Sequence, residues 1–302
     1  METQQLDSSP CTPSISQSRN SMNNSPFPPS VTRLWRPAAQ RNLRNQWSQM
    51  VSYRQQWVSA STNARSNATS LVNAYLSQRY IPSMELGVLS DMPDIRKKAL
   101  SKLFIQQELH RSKFLSSYKD MVAVVTHMVN TSKSMRCFLK GTSGSSIVQF
   151  SSSSEEGNDT GDGGGIPIFT FWSIYPFEKL AEECVQMFAL ELNLKRLLVM
   201  ELLSIRSEAP QVEKLCWTDE LYPGELDDLS ICGLYLKETC EPILPRLRDK
   251  KSDMPAVVDN CKPNQAILQV YLTTWLTDLN IDSQRVDEIF ETVGEEMHVK
   301  LS

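Results

Sequence analysis

The chain lacks most of what would announce a catalyst. It has three histidines, His110, His127 and His298, and none stands beside a second metal-ligand type at a recognised spacing. No GxSxG, HExxH, phosphate-loop or GxGxxG pattern occurs. The adjacent carboxylates Glu182-Glu183, Asp227-Asp228 and Glu295-Glu296 point about 100° apart on a helix, which makes a solvated face and not an acid/base pair. No catalytic residue, metal ligand or cofactor is therefore readable, and the expectation is a protein that is not an enzyme. The seven cysteines include no CxxC pair, are odd in number and follow no secretory signal. That usage predicts a reducing compartment, nucleus or cytoplasm, with the thiols packed as small hydrophobes. Long hydrophobic runs are missing too: the most apolar stretch, 188–205, is interrupted by Glu191, Lys195, Arg196 and Glu201, so a core helix is expected and not a membrane span.

The most informative absence is of negative charge. Between Asp7 and Glu85 there is no acidic residue, while eight arginines and no lysine fall in the same interval. Residues 1–150 carry a formal charge of +11 and residues 151–302 carry −15, so a net charge of −4 conceals a bipolar chain. Such asymmetry predicts that the two halves bind each other, or that the basic half meets an external polyanion such as nucleic acid or an acidic microtubule surface.

Residues 1–41 read as a disordered, basic, Ser/Pro-rich tail, because they offer too little apolar surface to offset the entropy of ordering. Ser9, Thr12 and Ser25 each precede a proline and are phosphorylation candidates, each phosphate adding nearly two negative charges beside the basic segment. Arg33, Arg36, Arg41 and Arg44 are read as a loose arm and are the anion-contact candidates. Gln56-Trp57 with Asn63-Ala64-Arg65, behind the Ser/Pro-rich basic tail, partly resembles the plant QWRF proteins related to the microtubule-associated augmin subunit. Val58 and Ser59 stand where that pattern has Arg-Phe and the likeness stops there, so the chain is not assigned to the family.

Residues 42–140 predict a long helical hairpin of coiled-coil character. Met50, Trp57, Ala64 and Leu71 recur every seven residues in its first arm, and Ile81-Pro82 ends that arm. The second arm, 94–140, carries an a/d seam of Leu100, Gln107, Phe114, Met121, Met128 and Met135 with Phe104, Arg111, Tyr118, Val125, Ser132 and Leu139 four residues behind. Phe114, Met121, Val125, Met128 and Leu139 are its partner-seam candidates, an apolar stripe that either the C-terminal bundle or a partner must cover. Ten basic residues on this arm outnumber three acidic ones, so the rod calls for an acidic partner; whether the protein also self-associates is left open.

Residues 141–167 hold seven of the eleven glycines, seven serines and four acidic residues, and read as a flexible acidic linker. Residues 168–302 predict an acidic helical bundle, with 166–172 as a strand or hydrophobic latch and helices at about 176–207, 224–238, 242–249, 263–279 and 283–298. The expected fold class is all-α. The expected function is a non-enzymatic scaffold or adaptor of a nuclear or cytoskeletal assembly, binding other helical proteins in cell division, spindle or meiotic chromosome processes and no membrane. The alternatives are direct nucleic-acid or microtubule binding through the Arg/aromatic region and, behind it, an enzyme of a kind these motifs do not reveal.

Overall fold

Trp35, Ala39, Leu43 and Trp47 lie four residues apart and are fully buried, and that spacing carries the first helix far upstream of the expected start near residue 42. The computed structural model describes residues 29–140, 149–153, 159–205, 215–248 and 263–301, with backbone only at 29 and 30. Helix α1 (Pro29–Tyr80) runs through Pro37, whose exposed ring sits on the outer side. The arm bearing Arg33, Arg36, Arg41 and Arg44 is therefore helical and docked, because the four apolar side chains beneath it are held in the core. Further along α1, Met50, Trp57, Ala64 and Leu71 continue the same buried line.

Short 3-10 turns at Ile81–Ser83 and Gly87–Leu89 reverse the chain, and α2 (Ile95–Lys133) returns along α1. At 1.5 Å per residue α1 is about 78 Å long and α2 about 58 Å. The seam of α2 is buried from Gln107 through Ser132 except at Arg111, which like Leu100 is half-buried, whereas Phe104 is exposed. The helix also stops at Lys133, short of the expected 140. Beyond it β1 (Phe138–Lys140) pairs antiparallel with β2 (Gln149–Ser151), with Leu139 opposite Phe150.

Residues 159–167 are packed, not a free linker. Asp159 accepts from the backbone of Leu139 and Gly161, and Cys137 donates its N–H to Gly161. Gly163 has φ +65° and lies against Trp35 so closely that a Cβ there would come within 2.4 Å of the indole ring. Glycine here permits contact; it does not confer slack. Trp35 Nε1 donates to the Cys137 carbonyl at 2.7 Å, so one indole joins α1 to both flanking segments.

Helix α3 (Ile174–Leu203) fills the third position of the bundle, parallel to α1: Arg136 pairs with Glu178 near its start and Gln107 donates to the Ile205 carbonyl past its end. Helix α4 (Glu225–Ile231) lies beside α2 and ends at a turn through Gly233, φ +70°, instead of extending to 238. A two-residue ladder follows, β3 (Tyr235–Leu236) with β4 (Glu241–Pro242). The helix expected over 242–249 is absent at 242–247, where Pro242 ends β4 and the chain runs extended to Pro245 and beyond. Helices α5 (Gln265–Thr277) and α6 (Ser283–Met297) share the fourth position: Tyr80 meets Gln265, Ser61 meets Trp275, Arg54 meets Asp287 and Trp47 meets Phe290. Both run antiparallel to α1, one after the other.

The described residues are 69% helical and 4% strand, an all-α fold. One continuous buried cluster includes side chains of α1, α2, α3, α5 and α6, so 42–140 and 168–302 share a core. The phosphorylation candidates Ser9, Thr12 and Ser25 lie outside the described residues, as do 141–148 and 154–158 of the expected linker.

Candidate interaction surface

Every charged cluster inside the bundle is closed by partners of the same chain. Lys195 and Glu191 are fully buried; the lysine lies 3.0 Å from Glu191 and 2.7 Å from Asp278, donates to the Trp275 carbonyl at 2.6 Å and stands over the Trp275 ring. Arg196 is equally buried. It pairs with Glu225 at 2.9 Å, donates to the carbonyls of Trp217 and Asp219, and stacks its guanidinium on Trp217. Tyr118 donates to Glu225 at 2.7 Å, and burial followed by the Glu225 carboxylate holds its phenol well above the ordinary range. A buried ion pair of this kind does little net stabilising, but removing one member strands the other in the core. These clusters fasten α3 to α5, α4 and α2.

Three of the thiols are withdrawn as well, whereas Cys216 and Cys240 are exposed. Burial pushes Cys184 up to about 12 and Cys137 and Cys232 up to about 11, so all three are protonated and unreactive at neutral pH. Among the described residues no group of three or more His, Cys, Asp or Glu is placed to hold a metal ion. His127 stacks on Tyr53, His110 lies 3.4 Å from Asn67 Oδ1, and His298 Nε2 is 2.9 Å from Thr170 Oγ1. A depression of about 350 Å³ between α1 and α6 is lined by Val51, Arg54, Gln55, Val58, Phe290 and Leu301, and its cation is already paired with Asp287. No described helix is long and apolar enough to cross a membrane.

The anion-contact candidates separate into two pairs. Arg36 donates through Nε to the Ile168 carbonyl at 2.7 Å and through its terminal nitrogen to Phe169, while Arg44 lies 5.0 Å from the centre of the Phe169 ring. Both clamp the 168–172 latch, whose backbone N–H groups at Thr170, Phe171 and Trp172 all donate to the Glu296 carboxylate. Arg33 and Arg41 remain on the exposed side of α1. Of the partner-seam candidates, Phe114, Met121, Val125 and Met128 are fully buried in the chain's own core and Leu139 is half-buried in β1. The apolar stripe did need covering; α1, α3 and the other helices of the same bundle cover it.

What is left open is the far end of the hairpin. None of residues 79–106 is buried. Gln78 and Gln107, hydrogen-bonded to each other at 2.9 Å, mark the last buried layer, and there Arg111 also donates to the carbonyls of Leu203 and Ile205. Past that layer Met84, Val88, Leu89, Met92, Phe104 and Ile105 all reach solvent, Val88 at 93% exposure. Arg96 donates to the Met84 carbonyl and so ties the connection to α2. Lys97, Lys98 and Lys102 are exposed and have no ion pair among the described residues. Ile105 and Leu109 were missed as candidates because they fall off the a/d seam. Their one signal in the sequence is the spacing Lys98, Lys102, Ile105, Leu109, a second stripe at i, i+4, i+7 and i+11.

Comparison with known protein families, with curated proteins and with solved structures finds no match.

Proposed function

We propose that this protein is a non-enzymatic helical scaffold or adaptor subunit of a nuclear or cytoskeletal assembly. The observation that carries the reading is the distal hairpin: a stretch of 28 residues, 79–106, none buried, rich in apolar side chains and held away from the bundle by two long helices. Exposed apolar surface of this extent on an ordered element is what a protein contact uses. The basic character of the same element supports a protein partner of opposite charge. The link to cell division, spindle or meiotic chromosome processes rests on Ser9, Thr12 and Ser25 in a Ser/Pro-rich segment together with the rod.

A second reading, direct binding of nucleic acid or microtubules through α1, draws on one observation. The whole of α1 has no acidic residue, and Arg33, Arg41, Arg65 and Arg79 stay exposed along it. Purification of the full chain from native extract over a salt series separates the two. The scaffold reading expects partner proteins in fixed stoichiometry that persist as salt rises. The polyanion reading expects nucleic acid or microtubules that are lost with a steep log-log slope, each neutralised phosphate contributing about −0.9 on duplex DNA. Recovery of the chain alone at low salt removes both.

A further inference from the structure

From the geometry of the distal hairpin we infer that the outer stripe of α2, Lys98, Lys102, Ile105 and Leu109, is the docking site for an acidic amphipathic helix of another protein. The inference deepens the scaffold reading and rests on it. Helical positions i, i+4, i+7 and i+11 stand on one face, so these four side chains form a single line. That line lies about 160–220° around α2 from Gln107, the residue aimed at α1, and thus points away from the bundle. Ile105 is 64% exposed and Leu109 50% exposed, each with cations one or two turns before it. A helix laid along the line meets two aliphatic anchors at one end and two ammonium groups at the other.

Charge selects the occupant. Residues 95–113 contain six cations, Arg96, Lys97, Lys98, Lys102, Arg111 and Lys113, against Glu108 alone. A second copy docked through the same stripe would bring an equal excess of positive charge to the contact, and like charges across an interface oppose association. Among the described residues the ion pairs between the acidic and basic halves are Arg54 with Asp287 and Arg136 with Glu178, neither of them on the stripe. Nucleic acid would gain from Lys98 and Lys102 but would leave Ile105 and Leu109 in water. An acidic helix with an apolar edge satisfies all four side chains.

The test is site-specific crosslinking. A photoreactive phenylalanine analogue replaces Ile105 in the full chain, expressed in its native cells, and the adduct is mapped to the residue by mass spectrometry. The expected adduct lies on the apolar edge of a helix of another protein whose flanks carry Asp and Glu. Lys98→Glu with Lys102→Glu lowers its yield by about tenfold, since opposed charges at the rim of a contact mainly slow association. All four positions are exposed, so unchanged circular dichroism and thermal stability in these variants is expected and is checked first. An adduct with a second copy, with residues 206–214 or 249–262 of the same chain, with a basic helix or with nucleic acid overturns the proposal, and so does an adduct insensitive to the two lysines. If the chain retains stoichiometric partners but none crosslinks at 105, the docking site fails and the scaffold reading stands. If no partner is retained at all, both fail.

Discussion

Two aromatic residues on the same hairpin show how differently its ends are built. Trp35 at the proximal end is fully buried, bonded through its indole N–H to the Cys137 carbonyl and pressed on Gly163. Phe104 at the distal end stands on a good a/d position of α2 and is 54% exposed. Both positions are apolar and both helices continuous, so local sequence does not explain the contrast. The neighbours do: α3, α6, the latch and residues 159–165 surround the proximal end, whereas α3 and α5 stop at the level of Gln107 and Tyr80. A long hairpin in a shorter bundle has a structural end and a presenting end.

The largest expected effect is at the structural end. Trp35→Ala removes the indole from a site where three segments meet and costs about 4 kcal/mol, as for other large aromatic truncations in a core. Chemical denaturation followed by circular dichroism reads it. A loss near 1 kcal/mol would mean that the proximal end is loosely held and the contrast is false. Next comes Glu225→Gln, which leaves Arg196 buried without its counter-charge and costs about 3 kcal/mol by the same measurement. Tyr118 loses its charged acceptor in that variant as well.

Alkaline titration gives a smaller, diffuse effect. The Cys184 thiol is raised from 9.0 to about 12 by burial, so in the folded state it holds its proton where the unfolded chain releases it. A raised pKa of this kind contributes stability that is complete below the unfolded value and is lost as pH climbs from about 9 toward 12. Tyr118 acts in the same direction at higher pH. Cys184→Ala should flatten the decline in melting temperature across that window, and an unchanged slope would place the thiol in contact with solvent. The smallest effect belongs to the presenting end: Phe104→Ser should change stability by about 0.5 kcal/mol or less, as exposed substitutions do. A loss of several kcal/mol there would reveal a covering segment and erase the distinction between the ends.

Periodicity made much of the core legible. The heptad positions 114, 121, 128 and 118, 125, 132 of α2 and 50, 57, 64, 71 of α1 are all buried. The start of α1 was not, because Pro37 and the absence of an acidic first turn hide a helix that Trp35, Ala39 and Leu43 nonetheless nucleate. The packing of 159–167 was hidden for a related reason: composition reports the freedom of a glycine and not the ring that fills the space beside it, as Trp35 does at Gly163 and Phe138 at Gly161. The presenting end was half legible. The excess of cations on α2 calls for an acidic partner, but a heptad pattern identifies the face that is buried, not where along the rod its neighbours run out, so it left open whether the bundle or a partner covers the seam.

The division of the fourth bundle position between α5 and α6 gives the molecule a built-in order of opening. Helix α5 has no charged residue and only Leu268 and Trp275 buried, while α6 buries seven residues and is tied to α1 and α3 through Arg54–Asp287 and Arg285–Glu183. The joint between them has Asp278 at φ +42° and is held by Lys195, so the two segments are separate helices fixed at one point. Amide exchange should therefore run faster in α5 than in α6, because local opening is easiest where few apolar contacts must break. The joint lies next to Trp275, whose ring centre is 5.3 Å from that of Phe114 on α2, so release of α5 also breaks an aromatic contact with the hairpin.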